Sequence, residues 1–186
     1  MRLTMASVGG TLDGYLGRYP AEAAGLRPLL ALLADGADVR SRREFRGHVT
    51  AGAALIGPGR RIVQIHHRAS GKWLIPGGHL DTEDESLLAA ARRELAEETG
   101  IPAAAVTSLA ADPIRISAHA IPARVAKGEP EHRHFDFKFC FRTAAEIGQV
   151  QAEEVAGARW VEIGQLRDPL LVERISAIVG EVWSAP

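Results

Sequence analysis

The sequence predicts an α+β (mixed α/β) fold from three observations. Phe135, Phe137, Phe139 and Phe141 alternate strictly with other residues, the period of a strand with one buried face. Residues 86–99 contain Leu, Ala, Arg and Glu without Gly or Pro, the pattern of a helix. The candidate strands and helices along the chain do not follow the regular βαβ order of a parallel sheet. The chain has 186 residues, which suits one domain of about 150 residues with extensions. Hydrophobic residues make up 46% and charged residues 24%, so disorder is excluded as the main state.

In chain order, the leucines at 26, 29, 30, 32 and 33 recur at helical spacing between Pro20 and Gly36, and predict a short N-terminal helical unit. Left uncovered, they would form an apolar patch, so this unit is expected to pack on its own chain or on a second subunit, as in a homodimer. Residues 48–56 read as a strand, Gly57-Pro58-Gly59 as a turn and residues 62–66 as a second strand, together a hairpin. Residues 73–75 are a third extended piece, closed by a Pro76-Gly77-Gly78 loop that must pass close to another group or adopt unusual dihedrals. Ser86 is placed to cap the following helix and Gly100 to end it. Residues 114–121 are β-prone, 124–130 read as an exposed loop and 158–161 as a last strand. Leu171, Ile175, Ile178 and Val182 mark the apolar stripe of a closing helix.

Charge and cysteine content narrow the function. Lys plus Arg number 22 against 23 Asp plus Glu, so no global attraction to a nucleic acid polymer or an anionic membrane is expected, and a polyanionic ligand must be held locally. The one cysteine, Cys140, has no internal disulfide partner, which fits a reducing cytoplasm. Gly9, Gly10, Asp13 and Gly14 interrupt the start before it could act as a signal peptide, and no uncharged run reaches the roughly 18 residues of a membrane span.

Chemistry concentrates on the helix over residues 86–99. Glu94, Glu97 and Glu98 stand at i, i+3 and i+4, which places three carboxylates on one face. Many acidic helix faces are only solvated. Here the Gly77-Gly78 loop precedes the helix and Arg93 adjoins the first glutamate, a combination that suits divalent cations bridging carboxylates to substrate phosphate oxygens.

Gly78 together with Arg93-Glu94-Leu95-Ala96-Glu97-Glu98-Thr99-Gly100-Ile101 resembles the Nudix box of the Nudix hydrolases, G-x5-E-x7-R-E-U-x-E-E-x-G-U with U aliphatic. The second half is matched at every specified position. The first half carries one extra residue between Gly78 and Arg93, read as lying in the loop over residues 81–85, and leaves Asp84 or Glu85 for the first acidic position. The resemblance implies a Nudix-type α/β/α sandwich over residues 45–166, with an N-terminal helical extension over 1–44 and a closing helix over 167–186. It implies hydrolysis of a nucleoside diphosphate linked to another moiety, by water attack at phosphorus, with Mg²⁺ or Mn²⁺. Carried over residue by residue, Glu94, Glu97 and Glu98 are the implied metal ligands, Glu97, Glu98 and Arg93 the implied catalytic set, and Gly77 and Gly78 shape the substrate loop. Two other functions on the same fold are less well served. A silent nucleotide-binding module would be expected to lose a glutamate from the metal face, and an isomerase would need a catalytic cysteine.

Opposite the phenylalanines, His132, His134, Asp136, Lys138 and Cys140 share the other side of their strand. His132, His134 and Asp136 are expected to line the substrate cleft, with Lys138 only a charge partner. Glu129 and Glu131, just before, are candidate general bases. His66, His67 and Trp73 are read as packing residues, and Glu153 and Glu154 are assigned no role.

Overall fold

The computed structural model describes residues 2–184 except 126 and 127, which fall in the middle of the loop expected over 124–130. Two helices open the chain, α1 (Met5–Arg18) and α2 (Ala23–Ala34). They are followed by strands β1 (His48–Ile56), β2 (Ile62–His67), β3 (Lys72–Leu74) and β4 (Gly77–His79), then by helix α3 (Leu87–Thr99). Strands β5 (Thr107–Ser108), β6 (Arg115–Ile121), β7 (His132–Arg142) and β8 (Val155–Val161) lead to the closing helix α4 (Pro169–Ser184).

All eight strands join one mixed sheet. Its centre is the parallel pairing of β1 with β7, in which His48 faces His134 and Ile56 faces Arg142. β6 and β5 add antiparallel to the far edge of β7, while β2 and β4 share the other edge of β1. β3 and β8 extend the sheet from β2.

The two faces of the sheet have different covers. Val49, Ala51, Ala53 and Leu55 of β1 and the four phenylalanines of β7 are buried against Leu87, Ala91 and Leu95 of α3. The same core takes in Val8, Leu12 and Tyr15 of α1 and Leu26, Leu29 and Leu32 of α2, so the N-terminal leucines are covered by their own chain. On the reverse face, Ala54, Ile56, Ile62 and Cys140 pack under Leu171, Ile175 and Val179 of α4. The result is the expected α/β/α layering.

Three elements depart from the sequence reading. Helix α1 forms over a stretch whose glycines argue against it. Thr4 caps it through a reciprocal box with Ser7, and Val8, Leu12 and Tyr15 make a buried stripe at i, i+4 and i+7 that outweighs the low propensity of glycine. The segment read as a glycine loop is in part the strand β4, paired antiparallel to β1 with Gly78 opposite Ala51. The even-numbered side of β7 is not a polar surface along its length. Cys140 is fully buried under α4, and Lys138, only 6% exposed, pairs with Asp136 at 2.7 Å and donates to Ser117 Oγ at 2.6 Å.

A partly buried cluster joins the N-terminal helices to α4. The carboxylate of Glu22 accepts from both Arg115 and Arg174, Tyr15 donates to it at 2.6 Å, and the Arg174 guanidinium lies 3.6 Å over the ring of Tyr19. Removing one partner would strand charge in a poorly solvated place. The phenylalanine face dominates the core, so Phe137→Ala should cost about 3–5 kcal/mol through the cavity it leaves. Urea unfolding of the two proteins measures the loss.

Candidate active site

Helix α3 builds one wall of a cleft of about 1620 Å³ that opens beside β4 and the N-terminal halves of β1 and β7. Ser86 accepts from Ala89 N–H at the helix start, and Gly100 ends the helix at φ +67, its N–H bonding Ala96 O. This left-handed conformation is one that glycine adopts without strain. Leu87, Ala91 and Leu95 hold the inner face of the helix to the core. That docking carries Glu94 and Glu98 inward to 8% and 1% exposure, while Glu97 stays at the rim of the cleft.

Arg93 is the hub of the wall. Its Nε and Nη2 donate to the two carboxylate oxygens of Asp84 at 3.1 and 3.0 Å, and Nη2 also reaches His79 O at 3.0 Å. Nη1 donates to Glu94 at 2.9 Å and to Glu97 at 3.1 Å. The forked guanidinium suits this multidentate role, which a lysine could not reproduce. Asp84 is therefore the acid at the first position of the box; Glu85 is exposed. The six-residue step from Gly78 to Asp84 is that of the family pattern, so the extra residue follows Asp84.

The glycines meet the helix directly. Gly77 N–H donates to Glu98 Oε2 at 2.8 Å. A Cβ on Gly78 would lie 2.6 Å from the Glu94 carboxylate, so any side chain there would displace that carboxylate from its place. Burial raises the pKa of Glu98 to about 8, against the lowering effect of the Gly77 bond. Burial likewise raises Glu94 to about 7, although Arg93 opposes it. Glu154, exposed at the entry to β8, adds to both shifts through its charge and lines the cleft. The sequence signalled nothing at this position, because a loop 56 residues beyond Glu98 supplies it.

Across the cleft lie the even-numbered residues of β7. Asp136 faces it but is already engaged. It pairs with Lys138 and accepts from Thr50 Oγ1 at 3.3 Å; burial pushes its pKa up, and the Lys138 ammonium outweighs that and holds it below the usual carboxylate range. His134 joins His48, His79 and His132 in a group of four imidazoles whose neighbouring ring centroids are 4.7–5.1 Å apart. Burial lowers His79 to about 4 and His134 to about 3, so both are neutral at pH 7. His48 and His79 drew no attention in the sequence, since only the pairing of β1 with β4 and β7 brings them together.

Of the remaining candidates, Glu129 lines the cleft and bonds Arg42 at 3.4 Å, whereas Glu131 is exposed and lies away from it. His66 stacks on Trp73, whose ring also carries the Arg159 guanidinium at 3.9 Å. Cys140 is buried, and burial raises its thiol to about 12, so it has no part in cleft chemistry. Among the described residues, no helix is long and apolar enough to cross a membrane.

Comparison with known proteins adds to this geometry. Phosphatase NudJ of Escherichia coli is 44% identical over 61 residues, a stretch that covers 32% of this chain and 39% of that protein. Among solved structures, a NUDIX-family hydrolase from Clostridium perfringens shares the fold with a TM-score of 0.53 at 21% identity, covering 70% of this chain and 95% of that one. A C. elegans Ap4A hydrolase in a binary complex does so with a TM-score of 0.52 at 18% identity, covering 72% and 98%. The family model of the NUDIX domain matches residues 46–179, from the lead-in to β1 into α4 and across the whole of α3, and the chain thus belongs to the Nudix hydrolase family.

Proposed function

We propose that this chain hydrolyses the diphosphate linkage of a nucleoside diphosphate attached to a further moiety, with Mg²⁺ or Mn²⁺ as cofactor. The observation that carries the reading is the carboxylate face of α3 beside a cleft large enough for such a substrate, where Arg93 bonds Glu94 and Glu97 and Gly77 N–H bonds Glu98. An all-oxygen donor set of three carboxylates fits a hard divalent cation. Two of the three sit in surroundings that resist their ionisation, so they gain most from a cation. When bound, the ion neutralises phosphate oxygens and favours ionisation of water.

In this reading the protein groups divide the remaining work. Glu94, Glu97 and Glu98 hold the cation. Arg93 fixes the rotamers of Glu94 and Glu97 and is itself held by Asp84 and His79 O. Gly77 N–H orients Glu98, and the bare Gly78 leaves the Glu94 carboxylate its place. His132, His134 and Asp136 line the opposite side, where they position the substrate. Glu154, at the mouth of the cleft and within electrostatic reach of the carboxylates, accepts the proton of the attacking water.

Chromatographic separation of the nucleotide products formed from a panel of nucleoside triphosphates, nucleotide sugars, ADP-ribose and dinucleoside polyphosphates, with and without Mg²⁺, tests the reading; no turnover of any of them would overturn it. Glu97→Gln and Glu98→Gln should each lower turnover at least about 100-fold while leaving the protein folded. Glu154→Gln should lower kcat by about 10²–10⁴-fold with little change in KM, as expected for loss of a general base.

Stability should report the same groups. Glu98 and Glu94, with pKa values raised to about 8 and about 7, hold protons in the folded state that the unfolded chain releases. Their contribution is present at low pH and is lost as pH rises through those values. The buried histidines, with lowered pKa values, act in the opposite sense, but only below about pH 6.5. The melting temperature of the metal-free protein should therefore fall between pH 6.5 and pH 8, and Mg²⁺ should raise it more at pH 8 than at pH 6.5. Glu98→Gln should flatten the pH dependence in differential scanning fluorimetry.

A further inference from the structure

The four imidazoles beside the carboxylate wall have a use of their own. One ring nitrogen from each of His48, His79 and His134 lies within 4.8 Å of the other two. A tetrahedral zinc with ligands at about 2.0–2.1 Å separates its nitrogens by about 3.4 Å, so a modest rotation of the rings closes the set.

Hydrogen bonding constrains the tautomers of three of the four rings. His48 Nδ1 faces Glu44 O at 3.2 Å and His132 Nδ1 faces Pro130 O at 2.8 Å. A carbonyl only accepts, so both rings carry their proton on Nδ1 and present a lone pair at Nε2. His132 Nε2 lies 3.2 Å from His134 Nε2, which makes His134 the donor of that bond and leaves its Nδ1 with a lone pair. Metal-binding histidines are commonly held in this way, one nitrogen donating to a carbonyl or another acceptor and the other free to ligate.

The second, independent observation is His48 Nε2. It is buried in a residue 1% exposed and has no hydrogen-bond partner among the described residues. A buried lone pair without a partner costs free energy in any arrangement that does not use it. Backbone pairing fixes the three residues in place: His48 is opposite His134 across β1 and β7, and His79 is opposite Thr50 across β4 and β1. His79 and His134 also line the cleft, so a fourth position on the ion would open toward a ligand there.

We propose that His48, His79 and His134 form a binding site for one divalent transition-metal ion of the zinc class, with an open coordination position facing the cleft. The site is chemically distinct from the carboxylate face. Imidazole nitrogen selects zinc, cobalt or nickel over magnesium, whereas the carboxylates of α3 select magnesium or manganese. It does not depend on the diphosphatase reading, because it rests on the histidine geometry alone.

The test is titration of the full-length, chelator-treated protein with Zn²⁺ in excess Mg²⁺ by calorimetry, with Co²⁺ as a visible-absorption probe of coordination. The expected result is one Zn²⁺ per chain that excess Mg²⁺ does not displace, and a tetrahedral Co²⁺ spectrum. His79→Ala and His134→Ala, checked for folding by circular dichroism, should each weaken Zn²⁺ binding at least tenfold. These two residues are partly exposed and so are safer to change than His48. Glu97→Gln should bind Zn²⁺ as the parent does. The proposal is overturned if the parent binds no Zn²⁺ under these conditions, if both folded histidine variants bind it unchanged, or if Glu97→Gln abolishes binding. The nucleotide-product assay reads the other proposal separately, so either can fail alone.

Discussion

Burial of two carboxylates against a sheet is the constraint on which the site is built. Glu94 and Glu98 occupy the side of α3 that lies toward β4, in positions where an amphipathic helix would ordinarily carry apolar residues. Isolated, they would be expelled or protonated. Three local features make the arrangement tolerable: the Arg93 fork, the Gly77 N–H and the absence of a side chain at Gly78. Burial opposes the ionisation of both carboxylates, and in the function proposed above a bound cation would relieve that opposition.

The sheet contributes by being unevenly covered. Along β1 and β7 the odd-numbered residues other than the exposed Arg133 are apolar, and they lie in one core with residues of α1, α2 and α3. On the even-numbered side, α4 covers only the C-terminal parts of the two strands, where Ala54, Ile56 and Cys140 lie. The N-terminal parts, with His48, Thr50, His134 and Asp136, are left to form the cleft floor. Helix α4 is also joined to the N-terminal unit, through the bonds of Arg174 to Glu22 and Tyr15.

Strand β4 is the seam between the two halves of the site. Within three residues, Gly77 bonds Glu98, Gly78 touches Glu94, and His79 enters the imidazole group while its carbonyl accepts from Arg93. A carboxylate set suited to a hard cation and an imidazole set suited to a softer one thus share one short strand. Any movement of β4 along β1 would disturb both, which couples their geometry through the backbone and not through side-chain contact.

How much of this was legible in the sequence follows from the range of the interactions concerned. Helix α3 and its carboxylate face depend on contacts three and four residues apart, so their spacing alone revealed them, as the two-residue alternation revealed β7 and the buried side of its phenylalanines. Helix α1 was hidden because its glycines speak against a helix locally, and only the core that receives Val8, Leu12 and Tyr15 overrules them. Asp84 could not be separated from Glu85 until Arg93 folded back across nine residues to bond it. The tertiary structure alone decided which even-numbered residues of β7 meet the cleft and which lie under α4. It also decided that Glu154 approaches the carboxylates and that His48, His79 and His134, scattered over 86 positions, become neighbours. Sequence patterns record what a segment buries, whereas partners brought together by strand pairing leave no local trace.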